Sequence, residues 1–183
     1  MKKYLFLSCF AFGLTAFSFP GSFYDLPVTT ISNGMLNLYR FHGKRIMIVI
    51  LPLSGGDSTS ITPGQIAGLA AGQKDSLIII GVPGVEMGYT DALKGQVQTL
   101  YANMPANFIL TSGMKTSRSS GQSQAPFFQW LTDIKKNGFF DKDAKETGEK
   151  FFVNKYGHLY AVMGSQVKLS TPIIDRVLSE HGH

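Results

Sequence analysis

Thiols are nearly missing from this chain: of its 183 residues only Cys9 is a cysteine. A single thiol has no partner within the chain, so a disulfide framework is excluded, and so is a cysteine-ligated zinc centre. Charge is also sparse, at 16% of residues, with 17 Lys and Arg against 12 Asp and Glu and a formal net charge of +5. Together with 44% hydrophobic residues and 14 Phe, that shortage excludes an intrinsically disordered chain. The early apolar run, YLFLSCFAFGLTAF, is too short to span a bilayer stably. No Walker-type Gly-Lys-Ser/Thr ending follows Gly55-Gly56. The four histidines, 42, 158, 181 and 183, fall in no recognisable catalytic triad motif, and no internal repeat is visible.

What stands at the beginning is a secretion pattern. Lys2 and Lys3 precede the apolar run, and Ala16-Phe17-Ser18 follows with small residues at the −3 and −1 places. Residues 1–18 are therefore expected to be a signal peptide and residues 19–183 a single domain. The Pro20-Gly21 break and the lack of a stop-transfer charge run argue against a lasting membrane anchor. Cleavage removes Cys9 and two lysines but no acid, leaving 15 basic against 12 acidic residues, a net of +3. That is too mild to imply a nucleic-acid partner. Export without disulfides points to a bacterial periplasm or an extracellular destination.

The order of elements can be read from punctuation and periodicity. Asn33-Gly34 between β-rich runs at 26–32 and 35–41 predicts a hairpin. Residues 45–51 are continuously apolar after Arg45, as in a strand covered on both faces. Thr62-Pro63-Gly64-Gln65 is a helix start with a capping box and Pro at its first position, and Ile66, Leu69 and Ala70 form its buried stripe. A second buried strand is expected at 76–82. A helix capped by Thr90 or Asp91 follows, with Leu93, Val97, Leu100 and Tyr101 at helical spacing. Then come a short strand at 107–111 and a polar loop at 116–124, expected to be a solvated connector. A helix from Pro126 carries Phe127, Trp130, Leu131 and Ile134 on one face and closes at Asn137-Gly138. Residues 141–150 are expected to form a charged surface loop, and 150–154 with 158–163 a second hairpin. Thr171-Pro172 opens the last helix, with Ile174, Val177 and Leu178 buried. Hairpin, then β-α-β-α-β-α-β-β-α, is an α/β plan: a mixed central sheet with helices on both faces. Its chemistry would sit at the strand-to-helix corner VILPLSGGDSTSITPG, residues 49–64.

Four segments in this order resemble the glutathione peroxidase family: SFYDLPV with LYRFHGKRIMIVIL, LIIIGVPGVEMG, APFFQWL and GEKFFVNKYGHL. The resemblance spans about residues 22–180. It implies a thioredoxin-like fold of the glutathione peroxidase subtype with an N-terminal β-hairpin, and membership of a family that answers oxidative stress. Family members use a Cys or selenocysteine nucleophile with Gln, Trp and Asn around it. Carried onto this chain, the nucleophile position falls at Thr59, the Gln at Glu86, and the Trp-Asn pair at Glu146-Thr147. None of the four keeps the family's residue type. A hydroxyl cannot replace a thiolate that attacks peroxide and becomes a sulfenic acid.

The expectation is therefore an exported relative without thiol peroxidase activity and without a cofactor, acting as a binding or interaction module toward a protein or small-molecule partner in the envelope. The alternative is carboxylate or metal chemistry at the same corner. Asp57, Glu86 and Glu146 would be the candidate ligands of a hard divalent cation, or an acid and base whose pKa values are split.

Overall fold

The computed structural model describes residues 21–55 and 61–179. The expected signal peptide, Cys9, His181, His183 and the loop residues Asp57 to Ser60 lie outside them. Five strands form one mixed sheet: β3 (Arg45–Ile50), β4 (Leu77–Val82), β5 (Phe108–Leu110), β6 (Lys150–Val153) and β7 (Leu159–Met163), in the order β5-β4-β3-β6-β7. β3, β4 and β5 run parallel, while β6 lies antiparallel to β3 and β7 antiparallel to β6. A separate two-stranded hairpin, β1 (Val28–Thr29) with β2 (Met35–Leu36), precedes them. This is the α/β arrangement that the element order predicts.

The continuous hydrophobicity of β3 has a direct cause: both its faces are buried. Ile46, Ile48 and Ile50 face one core with Ile78, Ile80, Phe127, Phe128 and Leu131. Met47, Val49 and Leu51 face the other with Ile66, Ala70, Val97, Ile174 and Leu178. The helices on that second face are α1 (Pro63–Gly72), α2 (Lys94–Leu100) and α5 (Pro172–Ser179), and α3 (Pro126–Thr132) covers the first. The α1 start is as expected: Thr62 Oγ1 accepts from the Gln65 amide at 3.3 Å, and Gln65 Oε1 accepts from the Thr62 amide at 3.0 Å.

Several expectations need correction. The first hairpin is shorter than the β-rich runs, and its loop is not a two-residue Asn-Gly turn. Thr30 and Gly34 close it, Ile31 to Asn33 form it, and Asn33 alone takes the left-handed conformation, φ 65°. That is the three-residue hairpin in which a turn ends on one αL residue. Leu38–Phe41 is a 3₁₀ turn, not strand, because the Asn37 side chain captures the Tyr39 amide at 3.0 Å. The Pro126 helix breaks at Asp133, whose extended backbone and side-chain cap start a separate turn, α4 (Ile134–Asn137). Ile134 therefore leaves the apolar face and is 45% exposed. Gly138, φ 74°, ends that turn as expected. Residues 116–124 are not merely solvated, since Thr116, Ser117 and Gln124 are buried, and the supposed surface loop 141–150 ends in buried Glu149 and Lys150.

Gly81 on β4 shows how close the layers approach. A Cβ there would lie 2.7 Å from both Leu51 Cδ1 and Phe108 Cζ. Gly81→Ala is expected to cost about 1–3 kcal/mol through overpacking, read as a lower denaturation midpoint at unchanged slope.

Candidate functional site

The carboxyl ends of the parallel strands meet at one edge of the molecule, where open α/β sheets bind ligands. β3 leaves the sheet through Leu51 and Pro52, both buried. Leu51 donates to Val82 O at 2.9 Å, and the Tyr101 hydroxyl donates to Pro52 O at 2.9 Å. Burial pushes that phenol well above its ordinary pKa, so it remains a hydrogen-bond donor. Gln96 Nε2 reaches Leu53 O at 3.4 Å. The chain re-enters at buried Ile61 and the capped start of α1. Ser54 and Gly55 open onto a depression of about 360 Å³ shared with Gln96, Thr99 and Leu100. Thr59 and Asp57 lie outside the described residues.

Glu86 comes from the turn after β4. That turn is held by a parallel bridge between Gly84 and Met114, with Val85 N donating to Met114 O at 2.9 Å. The Glu86 carboxylate accepts from the Thr116 amide at 2.8 Å, the Ser117 amide at 3.3 Å and the Ser120 hydroxyl, while the Thr116 hydroxyl beside it donates to Ala144 O at 2.9 Å. Partial burial works against its charge, but the bonds from Ser120, Thr116 and Ser117 outweigh this and hold its carboxyl below its ordinary pKa.

Asp143 grips the same loop from the other side. It accepts from Ser117 Oγ at 2.9 Å, the Arg118 amide at 2.7 Å and the Ala144 amide at 2.9 Å. Burial again opposes its charge, and the bonds from Arg118, Ser117 and Ala144 lower its pKa. Two carboxylates thus clamp residues 116–120. Sequence reasoning placed neither of them there; the run of hydroxyls in TSRSS was the available signal, since serines and backbone amides are what a carboxylate needs.

Glu146 and Thr147 also reach the strand ends. Gly148 N donates to Ile50 O at 2.8 Å, and Ile50 N donates to Glu149 O at 3.1 Å, which zips this segment to the last residue of β3. The Glu146 carboxylate accepts from Ser165 Oγ at 2.6 Å, and Thr147 is half-buried. Glu86 and Glu146 are therefore engaged by different loops. Among the described residues, no group of three His, Cys, Asp or Glu side chains is placed to hold a metal ion. His42 packs into a ring cluster with Tyr24 and Tyr39, at 5.3 and 5.6 Å. His158 lies at the hairpin before β7, its amide bonded to Asn154 Oδ1 at 3.0 Å.

The sequence also gave no sign of a buried ionisable pair beside this segment. Burial raises the Glu149 pKa; its carboxylate accepts from the Lys145 amide at 3.0 Å. Lys150 is sealed from solvent. Its ammonium donates to Gly148 O and, at 3.2 Å, to Gly164 O. Burial lowers its pKa to about 8, against the pull of Glu149.

No protein-family model matches the sequence, and no curated protein does. Solved structures do. Trgpx in its apo form is similar with a TM-score of 0.63 at 18% identity, covering 86% of this chain and 94% of that one. GPX1 of T. cruzi gives 0.60 at 12%, with the same coverage. A candidate electron transfer protein from Aquifex aeolicus VF5 gives 0.59 at 9%, covering 88% and 96%. The fold is thioredoxin-like, of the glutathione peroxidase kind, as the resemblance implied.

Glu86→Ala is expected to release the clamped loop. Hydrogen exchange at Thr116 and Ser117 should quicken by about tenfold or more, with a stability loss of about 1 kcal/mol, discounted for the exposure of this side chain. The folded pKa values of Glu86 and Asp143 lie below the unfolded ones. Their contribution is therefore full above about pH 4, the unfolded carboxylate range, and is lost as pH falls through the folded values. Acid unfolding of Glu86→Gln should accordingly show a shallower dependence on pH.

Lys150 has the opposite sense to a salt-bridged lysine. Its folded pKa of about 8 lies below the unfolded value, so the unfolded chain binds more protons and stability rises with pH above 8. Denaturation between pH 8 and 10 should show that rise, and Lys150→Met should remove it.

Proposed function

We propose that this chain is an exported glutathione peroxidase-like protein that has lost thiol peroxidase activity and works as a binding module in the bacterial envelope. The observation that carries the reading is the absence of cysteine from residues 10–183. Peroxide reduction needs a thiolate sulfur to attack one peroxide oxygen, release the other as water or alcohol, and pass through a sulfenic acid. No residue after position 9 can take that oxidation step with a thiol.

The fate of the family's glutamine position supports the same reading. Glu86 stands there, and its carboxylate is engaged by the Thr116 and Ser117 amides and the Ser120 hydroxyl, which order residues 116–120. A carboxylate engaged in this way serves as a structural anchor. Carboxylate or metal chemistry gains no support from the described residues, because Glu86 and Glu146 answer to different loops. The retained scaffold, with the strand ends and the α1 cap intact, suits a protein kept for what it holds. Residues 1–18 act as the export signal in this reading, and the working chain begins at Phe19.

Two measurements test it. Protein recovered from the envelope fraction should begin at Phe19 by N-terminal sequencing. That protein, supplied with hydrogen peroxide and either glutathione or reduced thioredoxin, should consume peroxide no faster than buffer; catalysed loss overturns the reading.

A further inference from the structure

A second concavity, of about 580 Å³, opens away from the corner, between the clamped loop and the α3–α4 junction. Its size is that of a small-molecule site. Its wall includes Arg118, Gln122, Gln124, Gln129, Lys135 and Lys136, and none of its ten lining residues is aliphatic or aromatic. Polar and charged side chains set its character, which suits a ligand rich in hydrogen-bonding groups.

The floor is built around Gln124, only 6% exposed. Its Nε2 donates to Thr116 O at 2.8 Å and to Thr132 Oγ1 at 3.2 Å. Both of those are acceptors here: one is a carbonyl, and the Thr132 hydroxyl already spends its proton on Phe128 O at 2.7 Å. The amide can therefore be oriented only one way, with its NH₂ inward. Gln124 Oε1 is left with no partner among the described residues. It is not sealed off either, since the one fully enclosed, unpartnered side-chain polar atom among them is Asn107 Oδ1. Gln124 lines the hollow, so this open acceptor can take an O–H or N–H donor from a ligand there.

The rim supplies positive charge. Arg118 pairs with Asp141, the only ion pair among the described residues. Asp133 is turned to the Lys135 amide at 2.9 Å. Lys136 reaches Gln129 Oε1 at 2.7 Å, and the Lys135 ammonium is in no ion pair. The three cationic side chains of the wall exceed its two carboxylates by one, and neither lysine ammonium is in an ion pair among the described residues.

We infer that this hollow binds a small polyhydroxylated anion, a sugar acid or a sugar phosphate. One hydroxyl donates to Gln124 Oε1, and the anionic group lies against Lys135 and Lys136. The inference gives the proposed binding module its ligand class and rests on that reading only for its biological sense. Peroxidase activity would leave the hollow intact, and an empty hollow would leave the missing thiol as it is.

The test is titration of the full exported protein with D-glucuronate, D-glucose 6-phosphate, D-glucose, acetate and inorganic phosphate, followed by calorimetry and by amide shifts in NMR. Saturable binding of glucuronate or glucose 6-phosphate, with shifts confined to residues 118–136, is expected. Glucuronate binding alone assigns a carboxylate, and glucose 6-phosphate binding alone assigns a phosphate. Glucose, acetate and phosphate should each bind at least about tenfold more weakly, because each offers half of the recognition. The exposed double substitution Lys135→Gln with Lys136→Gln should weaken binding by a similar factor without changing the melting temperature. Gln124→Met should weaken glucose 6-phosphate and glucuronate but not the residual affinity for acetate or phosphate; where it unfolds the loop, the lysine pair decides. No saturable binding of either anion, binding indifferent to the lysine pair, or acetate or phosphate binding as tightly as the hydroxylated anions overturns the proposal.

Discussion

The hydrogen-bonding demand of one buried strand organises this molecule. Residues 46–51 are sealed from solvent, so none of their backbone groups can rely on water. β3 meets that demand by sharing its edges between parallel β4 and antiparallel β6, in registers that run Ile46 against Ile78 on one side and against Val153 on the other. The same ladder continues past its end, through Gly148 and Glu149 to Ile50 and through Val82 to Leu51. Those last bonds bring the Glu86 turn and the Glu146 segment to the corner. The position of the candidate site is thus a by-product of satisfying a strand that has no access to solvent.

Much of this was legible before any coordinates. Continuous apolar runs report burial on both faces, so β3 and β4 were plain in the sequence. Thr62-Pro63-Gly64-Gln65 carries a complete capping box, so the start of α1 was too. Places where a lone Asn or Asp seizes a backbone amide, with no second residue to complete a motif, were not legible. Asn37 turns an expected strand into a 3₁₀ turn, and Asp133 splits an expected helix. Both residue types compete with regular structure through short-range bonds whose outcome depends on packing.

The chemistry divides along the same line. That the corner lacks a sulfur nucleophile is a matter of composition and needs no structure. How the side chains around the corner are engaged is a matter of geometry. Glu86 and Asp143 hold the 116–120 loop between them, and Gln124, four residues on, is turned by two acceptors so that its oxygen is left without a partner among the described residues. No periodicity encodes such an orientation. Lys150 was equally hidden, since the last lysine of KETGEK looks like one more surface charge until its neighbours in β3 and β7 are known.

The placing of β3 between β4 and β6 also bears on how the chain reaches its native state. Its parallel partner follows after one short helix, but its antiparallel partner is the sixth strand and comes from the far end of the sequence. Until that segment arrives, a strand of Ile, Met and Val presents one open edge, the kind of template on which unfolded chains pair with one another. The closing contact is highly non-local, which slows folding and lengthens that exposure. A chain delivered N-terminus first would meet this interval with its most aggregation-prone strand already formed, and its yield would be governed by how soon β6 follows.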